Sequence, residues 1–267
     1  MKTKHLLAAL AICLSSFMTS FLSAQDCLDA NITLTTQDQV TNFVTLYGTC
    51  DRITGNLTIG SSSGMNAITD LSGLENITSI GGGLLIRFNA ALTTLEGLQN
   101  LNTIDGFLII NRNDALTTLE GLQNLNTING YLQITSNDAL TNLEGLQNLN
   151  TINGYLQIAS NATLTNLEEL QNLNTIDGFL SITNNALLNE FCGLHPLLTS
   201  ETNGITTRDL SGNAIQISEI DIINGGACGR VLPASELPAM PPWQLLLLGV
   251  VVLSIGTFSF RKFFETR

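Results

Sequence analysis

Residues 92–115 read LTTLEGLQNLNTIDGFLIINRNDA, and residues 116–139 read LTTLEGLQNLNTINGYLQITSNDA. The same 24-residue pattern starts again at Leu140 and at Leu164, and a looser copy, ITDLSGLENITSIGGGLLIRFNAA, fills 68–91. A fixed period of this size marks a solenoid, in which each unit buries its apolar side only against its neighbours. Within the copy that opens at Leu116, apolar residues fall at Leu119, Leu122, Leu125, Ile128, Leu132 and Ile134. Steps of three dominate, so one continuous helix, which alternates threes and fours, does not fit. The step of two from Leu132 to Ile134 sets both side chains on one face of a short strand. Gly82, Gly106, Gly130, Gly154 and Gly178 precede that strand in successive copies. Such a column suits a bend with positive φ or a close backbone approach. Each repeat therefore predicts one coil with a short parallel strand after the glycine, stacked about 4.8 Å from the next.

Two asparagine columns fit the same picture. Asn89, Asn113, Asn137, Asn161 and Asn185 follow the strand, and Asn76, Asn100, Asn124, Asn148 and Asn172 sit in the leucine segment. Stacked amides can bond from coil to coil and satisfy turn backbone. Across the strand, Leu132 and Ile134 point in, so Tyr131 and Gln133 point out. Phe107, Tyr131, Tyr155 and Phe179 then form an outward aromatic column beside Ile109, Gln133, Gln157 and Ser181. That column is the candidate ligand-binding site, for a glycan or a protein. The alternative is that the rings stabilise the sheet by stacking on each other.

Outside the repeats, residues 1–24 read as a secretory signal: Lys2 and Lys4, an apolar run from Leu6 to Leu14, and Leu22-Ser23-Ala24 before the cut. Neither Ile12 before Cys13 nor Asp26 before Cys27 is the small residue a lipoprotein signal needs. Four cysteines remain, Cys27 and Cys50 before the repeats and Cys192 and Cys228 after them. In an exported chain they predict disulfides, and Cys27–Cys50 with Cys192–Cys228 is favoured of the three pairings because the repeats hold the two pairs apart. Zinc is disfavoured, since there is no Cys-x-x-Cys and His195 is the one histidine after the signal. No metal and no cofactor is predicted.

Residues 25–52 form an N-terminal cap, with TTQDQVTNFVTLYG as a short amphipathic piece; 53–190 form the solenoid and 191–229 a C-terminal cap. Polar caps are required because an open end coil is an unpaired edge. Six to seven coils are expected, about 30 Å of stack.

The run Leu-x-x-Leu-x-x-Leu-x-x-Ile-x-Gly-x-Leu-x-Ile, with a cysteine pair at each end, resembles the receptor L domain of insulin- and EGF-receptor ectodomains, and particularly its bacterial cell-surface versions. Phe191-Cys192-Gly193-Leu194, then Ser211-Gly212-Asn213 and a last cysteine, is similar to their ending. The resemblance spans about Cys27 to Cys228. It implies an all-β, right-handed, single-stranded parallel β-helix; a leucine-rich-repeat horseshoe is the runner-up. Glu169 departs from the column of Gly73, Gly97, Gly121 and Gly145, so that turn need not be left-handed.

The tail is a separate module. A proline-rich linker (230–242) holds Leu237 and Pro238, and an apolar run from Trp243 to Phe260 ends at Arg261-Lys262, ahead of a short tail, 263–267. The run is just long enough for one transmembrane helix. Trp243 at one boundary and Arg261 at the other place the C-terminus in the cytoplasm. Linker, span and basic end together resemble bacterial exosortase-type sorting signals, which implies a sorting transpeptidase as partner; a plain membrane anchor is the alternative. The expected location is the cell envelope or surface, reached through the inner membrane.

From Gln25 to Glu236 there are five arginines, no lysine and 21 acidic residues, a formal charge near −16. That excludes nucleic acid as a partner. Glu96, Glu120, Glu144 and Glu168 make one acidic column, read as a solvated face, with calcium as the alternative. Catalysis on polysaccharides needs carboxylates of different role gathered at one place. Here they recur one per copy, and His195 beside Pro196 reads as a cap residue. The chain is therefore read as a non-enzymatic surface solenoid that binds an unknown protein or glycan, with a passive envelope component as the alternative.

Overall fold

The computed structural model describes residues 26–27, 31–61, 68–200 and 203–214. In it the leucine and isoleucine columns of the repeat point inward. Leu116, Leu119, Leu122, Leu125, Ile128, Leu132 and Ile134 have no exposed surface, and the same holds for their equivalents in each copy. The steps of three have a simple cause. Leu119 N–H is followed by Leu122 N–H donating to the Leu119 carbonyl, and Leu125 N–H donating to that of Leu122. Each leucine thus ends one tight turn and begins the next, and successive side chains return to the same side. At Ile128 the chain extends and the step of two takes over.

Two parallel sheets result among the described residues. The larger has eight strands: β1 (Ile32–Leu34), β3 (Leu57–Ile59), β5 (Leu84–Arg87), β7 (Leu108–Asn111), β9 (Leu132–Thr135), β11 (Leu156–Ala159), β13 (Phe179–Thr183) and β14 (Thr207–Asp209). These are the strands expected after the glycines, plus one from each cap. The smaller sheet was not foreseen. Its strands are two residues each: β2 (Arg52–Ile53), β4 (Ser79–Ile80), β6 (Thr103–Ile104), β8 (Thr127–Ile128), β10 (Thr151–Ile152) and β12 (Thr175–Ile176). Strand on two sides of the six coils from β2–β3 to β12–β13 makes a β-solenoid. From β5 to β13 the register advances by the repeat length, Leu84↔Leu108↔Leu132↔Leu156↔Leu180, so like residues stack on like.

The glycine before each strand serves close approach. None of Gly82, Gly106, Gly130, Gly154 and Gly178 has positive φ, and a Cβ on Gly130 would lie 2.8 Å from the carbonyl carbon of Gly106. The other glycine column divides. Gly97, Gly121 and Gly145 have φ of 109°, 112° and 113°, while Glu169 sits in a 3₁₀ turn, Glu168–Asn172, and Gly73, a glycine without positive φ, sits in another, Ser72–Leu74. In the left-handed coils Leu95 and Leu119 N–H donate to the backbone carbonyls of Glu120 and Glu144. Where Glu169 replaces glycine, its own Oε2 accepts from Leu143 N–H at 3.2 Å. A side-chain carboxylate has taken over a backbone task.

Both asparagine columns bond from coil to coil. The buried column extends from Asn89 to Asn213. Asn113 Nδ2 donates to the Ile86 carbonyl and to Asn137 Oδ1, and Asn113 Oδ1 accepts from the backbone N–H and Nδ2 of Asn89. In the exposed column, Nδ2 of Asn100, Asn124, Asn148 and Asn172 donates to the carbonyls of Glu75, Gln99, Gln123 and Gln147.

At the N-terminal end the amphipathic piece forms helices Gln37–Thr41 and Phe43–Tyr47, which bury Val40 and Phe43 over the first coil. Gln37 imitates the peptide group of a further coil: Oε1 accepts from Thr69 and Asp70 N–H, and Nε2 donates to the Asp70 carbonyl. The Cys27–Cys50 disulfide closes this cap. At the other end Phe191, Leu194, Leu197 and Leu198 are buried, and helix His195–Thr199 starts with Pro196 at a position that needs no N–H.

Candidate functional site

The outer face of the larger sheet presents three columns, because alternate strand residues point away from the core. The first is aromatic. Ring centroids lie 5.3 Å apart for Phe107–Tyr131, 4.4 Å for Tyr131–Tyr155 and 4.2 Å for Tyr155–Phe179, with interplanar angles of 16°, 9° and 10°. Phe107 closes one end by lying on Gly83, where even a Cβ would sit 2.5 Å from the ring. At the other end Phe179 is in register with Thr207. The inner rings therefore give their faces to their neighbours and only their edges to solvent, whereas Phe179, at the end, is exposed at 37%. Burial, with the Tyr131 phenol next to it, raises the pKa of Tyr155 above the usual tyrosine value.

The second column reads Leu85, Ile109, Gln133, Gln157 and Ser181; the third reads Arg87, Asn111, Thr135, Ala159 and Thr183. Beyond them the chain turns a corner through Phe88, Arg112, Ser136, Ser160 and Asn184, all left-handed with φ between 55° and 58°. The Arg112 guanidinium stands 5.2 Å from the centroid of the Phe88 ring. This left-handed column escaped the sequence reading. Only Asn184, and Gly212 one coil on, hint at it, because Phe, Arg and Ser are not residues that announce positive φ.

On another side of the coils Glu96, Glu120, Glu144 and Glu168 are exposed, as the sequence suggests. Gln99, Gln123 and Gln147 stand alongside, each Oε1 accepting from the N–H of the glycine two residues earlier. Shallow clefts run between the two columns, and one of about 350 Å³ is lined by Gln147, Glu168, Glu169, Gln171, Cys192 and Gly193. Among the described residues no three of His, Cys, Asp and Glu converge as a metal site would require. His195 opens the last helix, with Cys192 three residues before it. Cys228 and the tail residues Leu237, Pro238, Trp243 and Arg261 lie outside the described residues, as does the signal segment. Among the described residues no helix is long and apolar enough to cross a membrane.

The stacked coils, two-sided β-structure and disulfide-closed cap define a β-solenoid. The family model "Receptor L domain" matches residues 49–125 and 126–190, more than half of the sequence, and the chain belongs to that family. No curated protein and no solved structure matches it.

Proposed function

We propose that the chain is an exported, bacterial cell-surface solenoid that binds a protein or glycan partner and catalyses no reaction. The observation behind this reading is the outward face of the larger sheet, where the aromatic column and the Gln133 and Gln157 side chains beside it stand at least partly exposed in straight files on a fixed register. A surface ordered before contact loses little conformational freedom on binding. Catalysis instead requires groups of different role converging on one point. The carboxylates Glu96, Glu120, Glu144 and Glu168 recur one per coil and stand exposed. One observation favours a passive envelope component: the aromatic faces cover each other and leave edges for a ligand. An array of glycans and envelope proteins probed with the full chain separates the two. Saturable binding to one class supports recognition, and silence across both classes supports the passive role.

Export follows from the signal at 1–24, and surface attachment from the tail. Residues 230–242 supply a linker that an enzyme can reach, 243–260 a span that halts export, and Arg261-Lys262 the charge that blocks translocation. A permanent anchor has no use for the prolines before the span. The mature surface form is therefore expected to end upstream of Trp243. Intact-mass measurement on envelope-released protein decides the point, and a chain still carrying Arg267 makes the segment an ordinary anchor. Cys192–Cys228 is proposed to close the second cap, and non-reducing peptide mapping is expected to return that link.

A further inference from the structure

The binding role proposed above leaves open where on the sheet a partner sits, and the departures from the repeat supply a place. β5 and β7 carry Leu85 and Ile109 in register, where the following coils carry Gln133 and Gln157. Two branched aliphatics facing each other on an outer sheet surface form one patch. Arg87 lies on the same face two residues beyond Leu85, where later coils carry Thr135, Ala159 and Thr183. Its Nε is buried and has no hydrogen-bond partner among the described residues. Arg112 stands at the adjoining corner, where the next coils have Ser136 and Ser160. The whole sequence holds ten Lys and Arg against 22 Asp and Glu, so two guanidiniums on adjacent coils, beside Asp114 and Asp138, make a locally neutral patch on an acidic surface. Arg52 is engaged with Asp26 at 3.7 Å, whereas Asp114 and Asp138 only line the hollow that Arg112 and Phe88 share.

We propose that this patch docks an acidic segment of a partner protein, with carboxylates on Arg87 and Arg112 and aliphatic side chains over Leu85 and Ile109. The field of the remaining surface repels such a segment, which confines its approach to this spot and gives specificity. A protein fits better than a glycan because sugar rings stack on open aromatic faces. At this end of the column the faces cover one another, with Phe107 lying on Gly83, and the Arg112 guanidinium covers one face of Phe88; the exposed ring, Phe179, stands at the far end.

The repeat itself supplies variants that the fold accepts: Arg87→Thr, Arg112→Ser and Ile109→Gln each install a residue found one or two coils further on. The probe is a short fluorescein-labelled peptide of alternating Glu and Leu, measured by anisotropy against the full chain. Gln/Leu peptide and an oligogalacturonate serve as comparators. The Glu/Leu peptide is expected to bind in low salt. Each Arg variant is expected to weaken it about tenfold, as is the Gln/Leu replacement, with melting temperatures unchanged. Absence of Glu/Leu binding, equal binding by the Arg variants, or preference for the oligogalacturonate overturns the proposal. If arrays reveal a partner whose binding ignores Arg87 and Arg112, the location is wrong and the binding role stands; if arrays are silent, both fail.

Discussion

Asn137 has no solvent exposure and uses its whole amide. Oδ1 accepts from the backbone N–H and Nδ2 of Asn113, and Nδ2 donates to the Ile110 carbonyl and to Asn161 Oδ1. Replacing it with Ala leaves those groups buried without partners, so Asn137→Ala is expected to destabilise by about 2–4 kcal/mol in denaturant titration. Leu132→Ala, which removes a core column member, is expected to lose about 2–5 kcal/mol. A variant of either kind that melts like wild type contradicts the packing. Tyr155 gives a pH test. Its folded pKa is raised above the unfolded value of 10.0, so the fold prefers the neutral phenol. Stability is unaffected below about pH 10 and falls as pH rises through the folded pKa, because the unfolded chain ionises first. Tyr155→Phe is expected to flatten that alkaline decline in thermal melts and to change little at pH 7. At this scale the sequence was legible wherever a column repeats one residue type. It was opaque at the left-handed corner, where a conformation costing about 1 kcal/mol per residue is imposed on Phe, Arg and Ser by the coils on either side.

The coil shows what sequence can and cannot say about an element. The step of three excluded a helix, and its cause, chained turns from leucine to leucine, became visible only with the hydrogen bonds. The second strand was hidden because Thr127–Ile128 and its equivalents are too short to alternate. Glu169, the one departure noticed in its glycine column, does lie in a turn of a different kind from those at Gly97, Gly121 and Gly145. That difference can be tested by paired substitutions. Glu169→Ala removes the acceptor for Leu143 N–H without allowing positive φ, and is expected to destabilise by about 1–2 kcal/mol. Glu169→Gly permits the left-handed turn used by the preceding coils, in which the residue 168 carbonyl can accept that N–H, and is expected to be the milder of the two. Equal melting temperatures for the pair would remove the carboxylate from its backbone role.

For the whole stack, the constant register makes a sharp demand on length. Excising residues 116–139, one full copy, brings Asn113 against Asn161 and Leu108 against Leu156, pairs of the same residue types as those already stacked. That chain is expected to fold, with a lower melting temperature because one interface is lost. Removing one residue more or fewer shifts every column on one side of the cut and is expected to abolish the cooperative transition in circular dichroism. The architecture was readable from the period alone, and the family from the apolar signature with its flanking cysteines. The strands that the caps contribute were not. Ile32–Leu34 lacks the glycine that marks the other strands, and Thr207–Asp209 lacks the apolar pair, so both form because a neighbouring edge demands a partner.

The buried asparagine column has one more property. Every amide hydrogen passed between its members runs the same way, from Asn89 towards Asn213. Amide dipoles in such a file polarise one another, so a central member is held more strongly than one at the margin. Asn89, whose Oδ1 has no donor among the described residues, is where the file begins. The column behaves as a zip fastener with a defined starting tooth: loosening is expected to enter at the Asn89 end and to meet growing resistance toward Asn137. Hydrogen exchange along the Nδ2 groups should show that gradient even among repeats whose sequences are nearly identical.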